Sequence, residues 1–358
     1  MSKKNITAIV TFCLAMVFMV GSLEAQLTQR EDIDVKNKRI GTAAASELLI
    51  PVGARDMAMS GAGLATTSGI DAIFWNPGGL ARMSGTAEGM FSTMSYIADI
   101  NVNYGAVAIK FGTFGTIAFS IKTLNFGDIP LTTVDDPEGV AGRTFSPSFT
   151  VTGLTFGRQF TDAITVGATV KLISEQMHRV TGSGFALDVG IQYHGVAGIR
   201  GVDLGLIMKN VGPQMKFDGP GLLRMSNVDV GRRPSQYFAS LGQTWELPTS
   251  IELGLAYEYA MSEELNFNLN TAYANNSLAL NSYRVGGEAT FGFGQFQFAG
   301  RAGMDLWETG ADDEAIFGPT FGAGMIYKAT GVGIVIDYAY RSVDLFNSNS
   351  MFSVRFTF

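Results

Sequence analysis

The last seven residues, Phe352-Ser353-Val354-Arg355-Phe356-Thr357-Phe358, alternate without exception: Phe352, Val354, Phe356 and Phe358 fall on one side, and Ser353, Arg355 and Thr357 on the other. A period of two residues is the signature of an extended strand with unlike faces. Upstream, Gln295 to Asp305 repeats it, with Phe296, Phe298, Ala302 and Met304 opposing Gln295, Gln297, Arg301 and Asp305. In Ile251 to Tyr259 the odd positions are apolar or Tyr and the even ones Glu, Gly or Ala, and in Leu265 to Tyr273 one side carries Asn266, Asn268 and Asn270. In Phe185 to Tyr193, Asp188 and Gln192 oppose Phe185, Leu187, Val189 and Ile191. Such segments either close two sheets over a common core or close one sheet into a barrel with its apolar face in lipid.

Composition favours the barrel. The 358 residues are 46% hydrophobic and 16% charged, against about 25% charged in ordinary soluble domains. There are 44 Gly, 26 Phe and 11 Tyr, a mixture suited to strands rather than helices. The polar faces are rich in Gly, Ala, Ser, Thr and Asn with charges of both signs, as a filled or wet lumen requires. Tyr257, Tyr259, Tyr338 and Tyr340 stand near segment ends, where an aromatic girdle lies.

The N-terminus supplies the route out of the cytoplasm. Lys3 and Lys4 precede an apolar run from Ile6 to Val20 that closes on small residues before Gln26, the pattern of a secretory signal peptide over residues 1–25. The one cysteine, Cys13, lies in that run, so disulfides, thiol catalysis and cysteine-ligated metals are not expected in the mature chain. Without Lys3, Lys4 and Glu24 the balance is 23 basic to 31 acidic groups, net −8, which argues against nucleic acid as a partner.

Fourteen segments read as spanning strands: Thr86 to Tyr96, Asn101 to Phe111, Thr116 to Asn125, Ser148 to Phe160, Ile164 to Gln176, Gly184 to His194, Val202 to Asn210, Ile251 to Tyr259, Leu265 to Ala274, Ser282 to Phe291, Gln295 to Asp305, Phe317 to Tyr327, Gly331 to Arg341 and Met351 to Phe358. Gln236 to Glu246 is a fifteenth extended stretch. Bacterial barrels have even strand numbers, short periplasmic turns and long external loops. Counting Gln236 to Glu246 as spanning would put 306–316 and 342–350 among the periplasmic turns, so it is assigned to the external loop 211–250, as a local hairpin. The expected organisation is a signal peptide at 1–25, a partly helical segment at 26–85 that plugs the lumen, and an all-β, antiparallel transmembrane barrel of fourteen strands at 86–358 in the outer membrane. Within the plug, Ala54 to Ala65 and Asp71 to Met83 are helix-like, and Trp75-Asn76-Pro77-Gly78-Gly79 is a break.

Catalytic signals are thin. The two histidines, His178 and His194, fall at opposite ends of a hairpin, and no HExxH, P-loop or dinucleotide fingerprint is present. Asp135-Asp136-Pro137-Glu138 and Asp312-Asp313-Glu314 lack EF-hand spacing and read as solvated loop charge. No enzyme activity, cofactor or metal site is expected. Lys171, Asp188, Asp203, Glu252, Glu288, Arg301, Asp337 and Arg355 face the lumen and are read as neutralising one another.

Gly53-Ala54-Arg55-Asp56-Met57-Ala58-Met59-Ser60-Gly61-Ala62-Gly63, followed by Asp71-Ala72-Ile73-Phe74-Trp75-Asn76-Pro77-Gly78-Gly79-Leu80-Ala81, resembles the N-terminal signature of the PorV/PorQ family, a branch of the FadL-like outer-membrane barrels. Ala186-Leu187-Asp188-Val189-Gly190, Leu204-Gly205-Leu206, Lys209-Asn210-Val211-Gly212-Pro213 and Leu247-Pro248 before Ile251 are similar to its mid-barrel strands. Gly78-Gly79 departs from the commoner Ala-containing pair. The resemblance implies a plug motif at Trp75 to Gly79, an assembly signal at terminal Phe358, and an accessory role in type IX secretion. The partners would then be outer-membrane lipid, the translocon barrel and the C-terminal signal domains of exported proteins. Docking would fall to the loop hydrophobics Met215, Phe217, Leu222, Leu223, Met225, Tyr237 and Phe238, unless these fold over the barrel mouth as a lid. The FadL-like superfamily implies the alternative, passive transport of hydrophobic small molecules, with a ligand in the lumen near Phe74, Trp75 and Asn76.

Overall fold

The computed structural model describes residues 42–226, 236–239, 244–307 and 316–358; residues 1–25, read above as a signal peptide, and Asp312-Asp313-Glu314 lie outside them. Fourteen antiparallel strands form the wall: β1 (Ala87–Ser95), β2 (Asn101–Lys110), β3 (Thr116–Asn125), β4 (Ser148–Gln159), β5 (Ile164–Met177), β6 (Val180–His194), β7 (Val202–Val211), β8 (Ser250–Ala260), β9 (Leu265–Asn276), β10 (Ser282–Phe293), β11 (Phe296–Trp307), β12 (Phe317–Ala329), β13 (Val332–Val343) and β14 (Asn349–Thr357). Each pairs with its neighbours in sequence. The seam closes where Glu88 to Ser95 of β1 pair with Thr357 to Ser350 of β14. Closure leaves no sheet edge, a requirement for spanning hydrocarbon, where an unpaired backbone group costs several kcal/mol.

Alternation sorts the side chains as the sequence predicts. In β14, Phe352 and Phe356 are exposed on the outside while Met351 and Ser353 are buried inside; in β11, Phe296, Phe298, Ala302 and Met304 point out while Arg301 is buried. Phe91, Val107, Phe119, Leu154, Leu172, Phe185 and Leu253 continue the apolar exterior. Phe111, Phe114, Phe160, Phe293 and Phe358 ring the end with the shorter turns, and Tyr338 and Tyr340 lie toward the opposite rim. The protein is therefore a multi-pass outer-membrane barrel, and the turn-length rule makes the end bearing 126–147 and 212–249 external.

Gln236 to Glu246 does not span. Its first part, Gln236–Ala239, pairs with Leu223–Ser226, and Thr244–Trp245 pairs with Met215 and Lys216. Met215–Asp218 in turn prolongs the sheet beside Thr181 to Ser183 of β6. The large loop departs from the wall at a bulge: Leu187 faces Val211 and Val189 faces Met208, leaving Lys209 and Asn210 opposite Asp188. Asn210 has φ 58°, its N–H donates to Asp188 Oδ1 (2.8 Å), and its amide donates to Pro248 O (3.0 Å). The Lys209-Asn210-Val211-Gly212-Pro213 run is thus a device that releases β7 from its ladder and bends it into the loop.

Candidate functional site: the filled lumen

Residues 42–85 run down the inside of the wall in short pieces rather than two continuous helices. They include the helical turns α1 (Ala54–Met57) and α2 (Ala72–Trp75) and a 3-10 stretch over Pro77–Arg82. Ser60 and Gly61 at φ 54° and 75° break the first helix-like stretch, and Asn76 at φ −158° breaks the second. Small residues in place of long helices let the backbone approach the wall, and the wall answers with glycine.

The match is close along much of the wall. A Cβ at Gly167 would fall 2.1 Å from Pro77 O, and one at Gly157 2.9 Å from Ala81 N. At Gly205 and Gly254 it would meet Leu64, and at Gly286 and Gly303 it would meet Met59, all within 3.0 Å; at Gly322 it would meet Ala58 at 2.4 Å. These positions are cross-strand partners in turn: Gly157 with Gly167, Gly167 with Gly190, Gly205 with Gly254, and Gly286 with Gly303. They form an inward belt in β4–β8 and β10–β12 that seats the lumenal backbone. The sequence shows it only as small residues on the polar faces.

Asn76 locks that seat. Its side-chain amide donates to Leu64 O (3.0 Å) and Ile191 O (3.1 Å), and its Oδ1 accepts from Gly78 N (3.2 Å). Leu64 O also accepts from Gln192 Nε2, which reaches Thr67 O as well. Trp75 Nε1 donates to Val52 O (3.0 Å). With its three side-chain bonds used inside the chain, Asn76 is a cap for the following turn and joins two distant backbones to the wall.

Charges tie the segment down further. Arg55 reaches Glu288 through two contacts of 3.1 and 2.7 Å, Glu288 meets Arg301 at 2.5 Å, and Arg301 meets Asp337 at 2.6 Å. Arg355 pairs with Asp71 of the lumenal segment. Elsewhere Lys171 meets Asp188 (2.5 Å), Glu252 is shared by Lys209 and Arg284 (both 3.0 Å), and Asp203 meets His194 (2.9 Å). The lumenal charges neutralise one another, and Arg55, Asp56 and Asp71 from the segment are partners that spacing did not reveal. Burial pushes the Asp56 carboxyl up to about 6 despite Arg55 alongside. Burial and the facing Glu175 carboxylate push Glu47 up to about 8.

The external part of the lumen has an apolar arc and, across from it, the charged groups Lys209, Glu252 and Arg284. Toward the external mouth, Met94, Val102, Leu124 and Met351 of the wall pack with Ile50 and Met57, and Val151 and Ile173 pack with Leu48, Ala44 and Ala45. Toward the periplasm lies a polar recess of about 160 Å³ bordered by Arg55, Thr66, Arg82, Asp203, Glu258, Asn266, Asn268 and Glu288. A cavity of about 30 Å³ sits between Leu48, Ile73, Phe74, Tyr104, Lys122 and Lys171, room for about one water. Lys122 donates to Glu47 O (2.7 Å) and Ile50 O (3.0 Å) and stands 4.9 Å over the Phe74 ring.

Two of the loop hydrophobics are corrected. Met215 is fully buried and Phe217 half-buried, because Gly182 and Gly184 of β6 leave space that these side chains fill over Ala44, Ala45 and Leu48. Leu223, Met225, Tyr237 and Phe238 are exposed on the loop hairpin and Leu222 is half-buried. Phe358 lies outside at the periplasmic end, its carbonyl accepting from Thr86 N (2.6 Å). His178 and His194 stand at opposite ends of the barrel wall. Asp136 accepts from Val140 N and Ala141 N, closing its own loop.

No protein-family model matches the sequence, and no curated protein does. Among solved structures the chain is similar to a TodX deltaS2S3 mutant described as a monoaromatic hydrocarbon channel, at TM-score 0.54 and 11% identity over 86% of this chain and 98% of that one. It is similar to the Pseudomonas putida toluene transporter TodX at TM-score 0.50 and 11% identity, covering 84% and 96%. The likeness is one of fold: the chain is an outer-membrane β-barrel.

Proposed function

We propose that this chain is a passive outer-membrane conduit for hydrophobic small molecules, opened by movement of residues 42–85 within the wall. The observation that carries the reading is an apolar arc of the external lumen, opposite the charged groups Lys209, Glu252 and Arg284. Porin interiors are polar throughout their height, whereas here Met94, Val102, Leu124, Val151 and Ile173 point inward from the mouth toward Ile50 and Leu48. An apolar solute gains about 25 cal/mol for each Å² it removes from water against such a surface. The fold likeness to monoaromatic hydrocarbon channels supports the same substrate class. The test is uptake of radiolabelled toluene or naphthalene by cells that lack their own hydrocarbon channel. Expression is expected to raise the initial rate, and Val151→Glu with Ile173→Glu to abolish the gain. A rate equal to that of the empty vector sinks the proposal.

One observation favours a second reading, the docking of exported proteins implied by the PorV/PorQ resemblance. Met225 and Tyr237 are cross-strand partners on the external hairpin and are 61% and 67% exposed. Co-purification of a translocon barrel or a cargo signal domain, lost in Met225→Ser with Tyr237→Ser, tests it; a barrel that purifies alone in a host with type IX secretion counts against it.

A further inference from the structure

Phe74 is the half-buried member of α2, between the buried Ile73 and Trp75. Two ammonium groups of the wall reach its ring. Lys122 Nζ of β3 lies 4.9 Å from the ring centroid and Lys209 Nζ of β7 lies 5.4 Å from it, both inside the range of about 6 Å for a cation–π contact. Lys209 is also 5.4 Å from the Trp75 ring, which meets Phe74 edge to face at 84° with 5.0 Å between centroids. Of the three donors that a lysine ammonium carries, Lys122 gives two to Glu47 O and Ile50 O, and the ring completes its surroundings. Lys209 is held by Glu252 at 3.0 Å. Elsewhere Phe74 packs against the apolar clusters that contain Tyr104 and Ile207. The ring also lies at the inner end of the apolar arc: Leu48 and Val151, which pack together below the external mouth, border the small cavity that Phe74 and Tyr104 close.

From this we infer that Phe74 is an internal stand-in for the solute. Lys122 and Lys209, with Tyr104 and Ile207, form a site in the wall for one aromatic ring, which the chain fills with its own side chain until residues 42–85 shift and a solute arriving along the arc takes its place. The site deepens the transport reading, on which it rests for how the ring is displaced, by naming the class of solute. The face of a benzene ring carries a negative potential that a saturated ring of the same size lacks. Two ammonium groups turned toward that face favour toluene over methylcyclohexane, whereas a merely greasy corner ranks the two by hydrophobicity alone.

Phe74→Ala vacates the ring's space in the docked barrel, so binding is read without transport. Purified F74A, its folding checked by heat-modifiable gel mobility, is titrated calorimetrically with toluene and with methylcyclohexane, and each affinity is divided by the compound's hexadecane–water partition coefficient. F74A is expected to bind toluene saturably and about tenfold more tightly than methylcyclohexane on that scale, a ratio within reach of desolvated cation–π contacts. Wild type, its site full, is expected to bind neither, and adding Lys122→Met to F74A is expected to bring the ratio toward one. Equal normalised affinities, a ratio that Lys122→Met leaves unchanged, no saturable binding in F74A, or wild type binding as F74A does overturns the inference. A second measurement needs no vacancy: Phe74→Leu, Lys122→Met and the double variant form a cycle of thermal midpoints. The midpoint lost by F74L is expected to be smaller in the Lys122→Met background, and strict additivity overturns the contact. Selective toluene binding by F74A in a barrel whose wild type gives no hydrocarbon uptake would leave the ring site standing and remove only the transport reading. Uptake by wild type with no aromatic preference in F74A would do the reverse.

Discussion

Gly190 of the wall faces Asn76 so closely that a Cβ on the glycine would lie 2.1 Å from the asparagine Oδ1. That oxygen is held by Gly78 N, and the amide beside it by Leu64 O and Ile191 O. The side chain therefore cannot swing aside without breaking a buried network.

Replacing a belt glycine tests whether this seat closes the channel. Gly167→Val places side-chain atoms in the Pro77 carbonyl, a clash with backbone rather than with a flexible tip. Overpacking costs about 1–3 kcal/mol, and here it falls on the docked state alone. The expected result is a barrel that still assembles and conducts ions in planar bilayers where wild type is closed. Unchanged conductance would show that the seat is not the seal.

Asn76→Ala removes both the donor and the acceptor: Ile191 O and Gly78 N lose that partner, while Leu64 O keeps its bond from Gln192. Each unsatisfied buried group costs about 1–3 kcal/mol, so a lower thermal midpoint in detergent is expected, together with increased leak. Asn76→Asp is expected to be worse, because an acceptor would face the Leu64 and Ile191 carbonyls. A midpoint matching wild type in both variants would contradict the network.

Arg55 joins the segment to Glu288, which Arg301 also holds. Breaking one partner of a buried pair typically costs about 3–5 kcal/mol. Arg55→Ala is therefore expected to loosen the segment and open the periplasmic recess to small solutes, read as faster influx of a hydrophilic antibiotic. The double variant with Glu288→Gln should cost less than the two single changes together, since the second removes the charge that the first leaves with Arg301 as its remaining partner. Strict additivity would mean that the pair is not coupled.

Glu47 shares the pH dependence of the outer part of the segment with Glu175, whose carboxyl burial also raises. The Glu47 carboxyl titrates near 4.5 when free and is raised to about 8 when docked, so the folded state binds a proton that the unfolded chain releases. Its stabilising contribution is complete below about 4.5 and declines as pH rises toward about 8. Glu47→Gln is expected to flatten the thermal midpoint across that window and to raise it at the alkaline end. A variant whose profile runs parallel to wild type would refute the assignment.

The wall was legible in the sequence because each face of a strand meets a uniform environment. Phe356 beside Thr357 states its orientation without reference to any other part of the chain. The filling was not, because its logic is pairwise over long separations. Arg55 and Glu288 are 233 positions apart, and nothing near either one names the other. Gly190 and Gly167 read as small polar-face residues, but only the fold reveals that Asn76 and Pro77 occupy the space a side chain would take. Met215 and Phe217 are hidden for a related reason: hydrophobicity in a long loop fits a free surface and a lid alike, and only the fold shows that Gly182 and Gly184 leave the space these two side chains fill.

The inner seating on β4–β8 and β10–β12 has a mechanical consequence. An empty hoop of fourteen strands flattens under sideways pressure from the surrounding bilayer by shearing its hydrogen bonds. This hoop has spokes: Leu64 abuts one arc, Met59 and Ala58 a second, and Pro77 a third. Load applied to any arc passes through the hub to the others, so the cross-section stays round while the spokes remain engaged and becomes compliant when they let go.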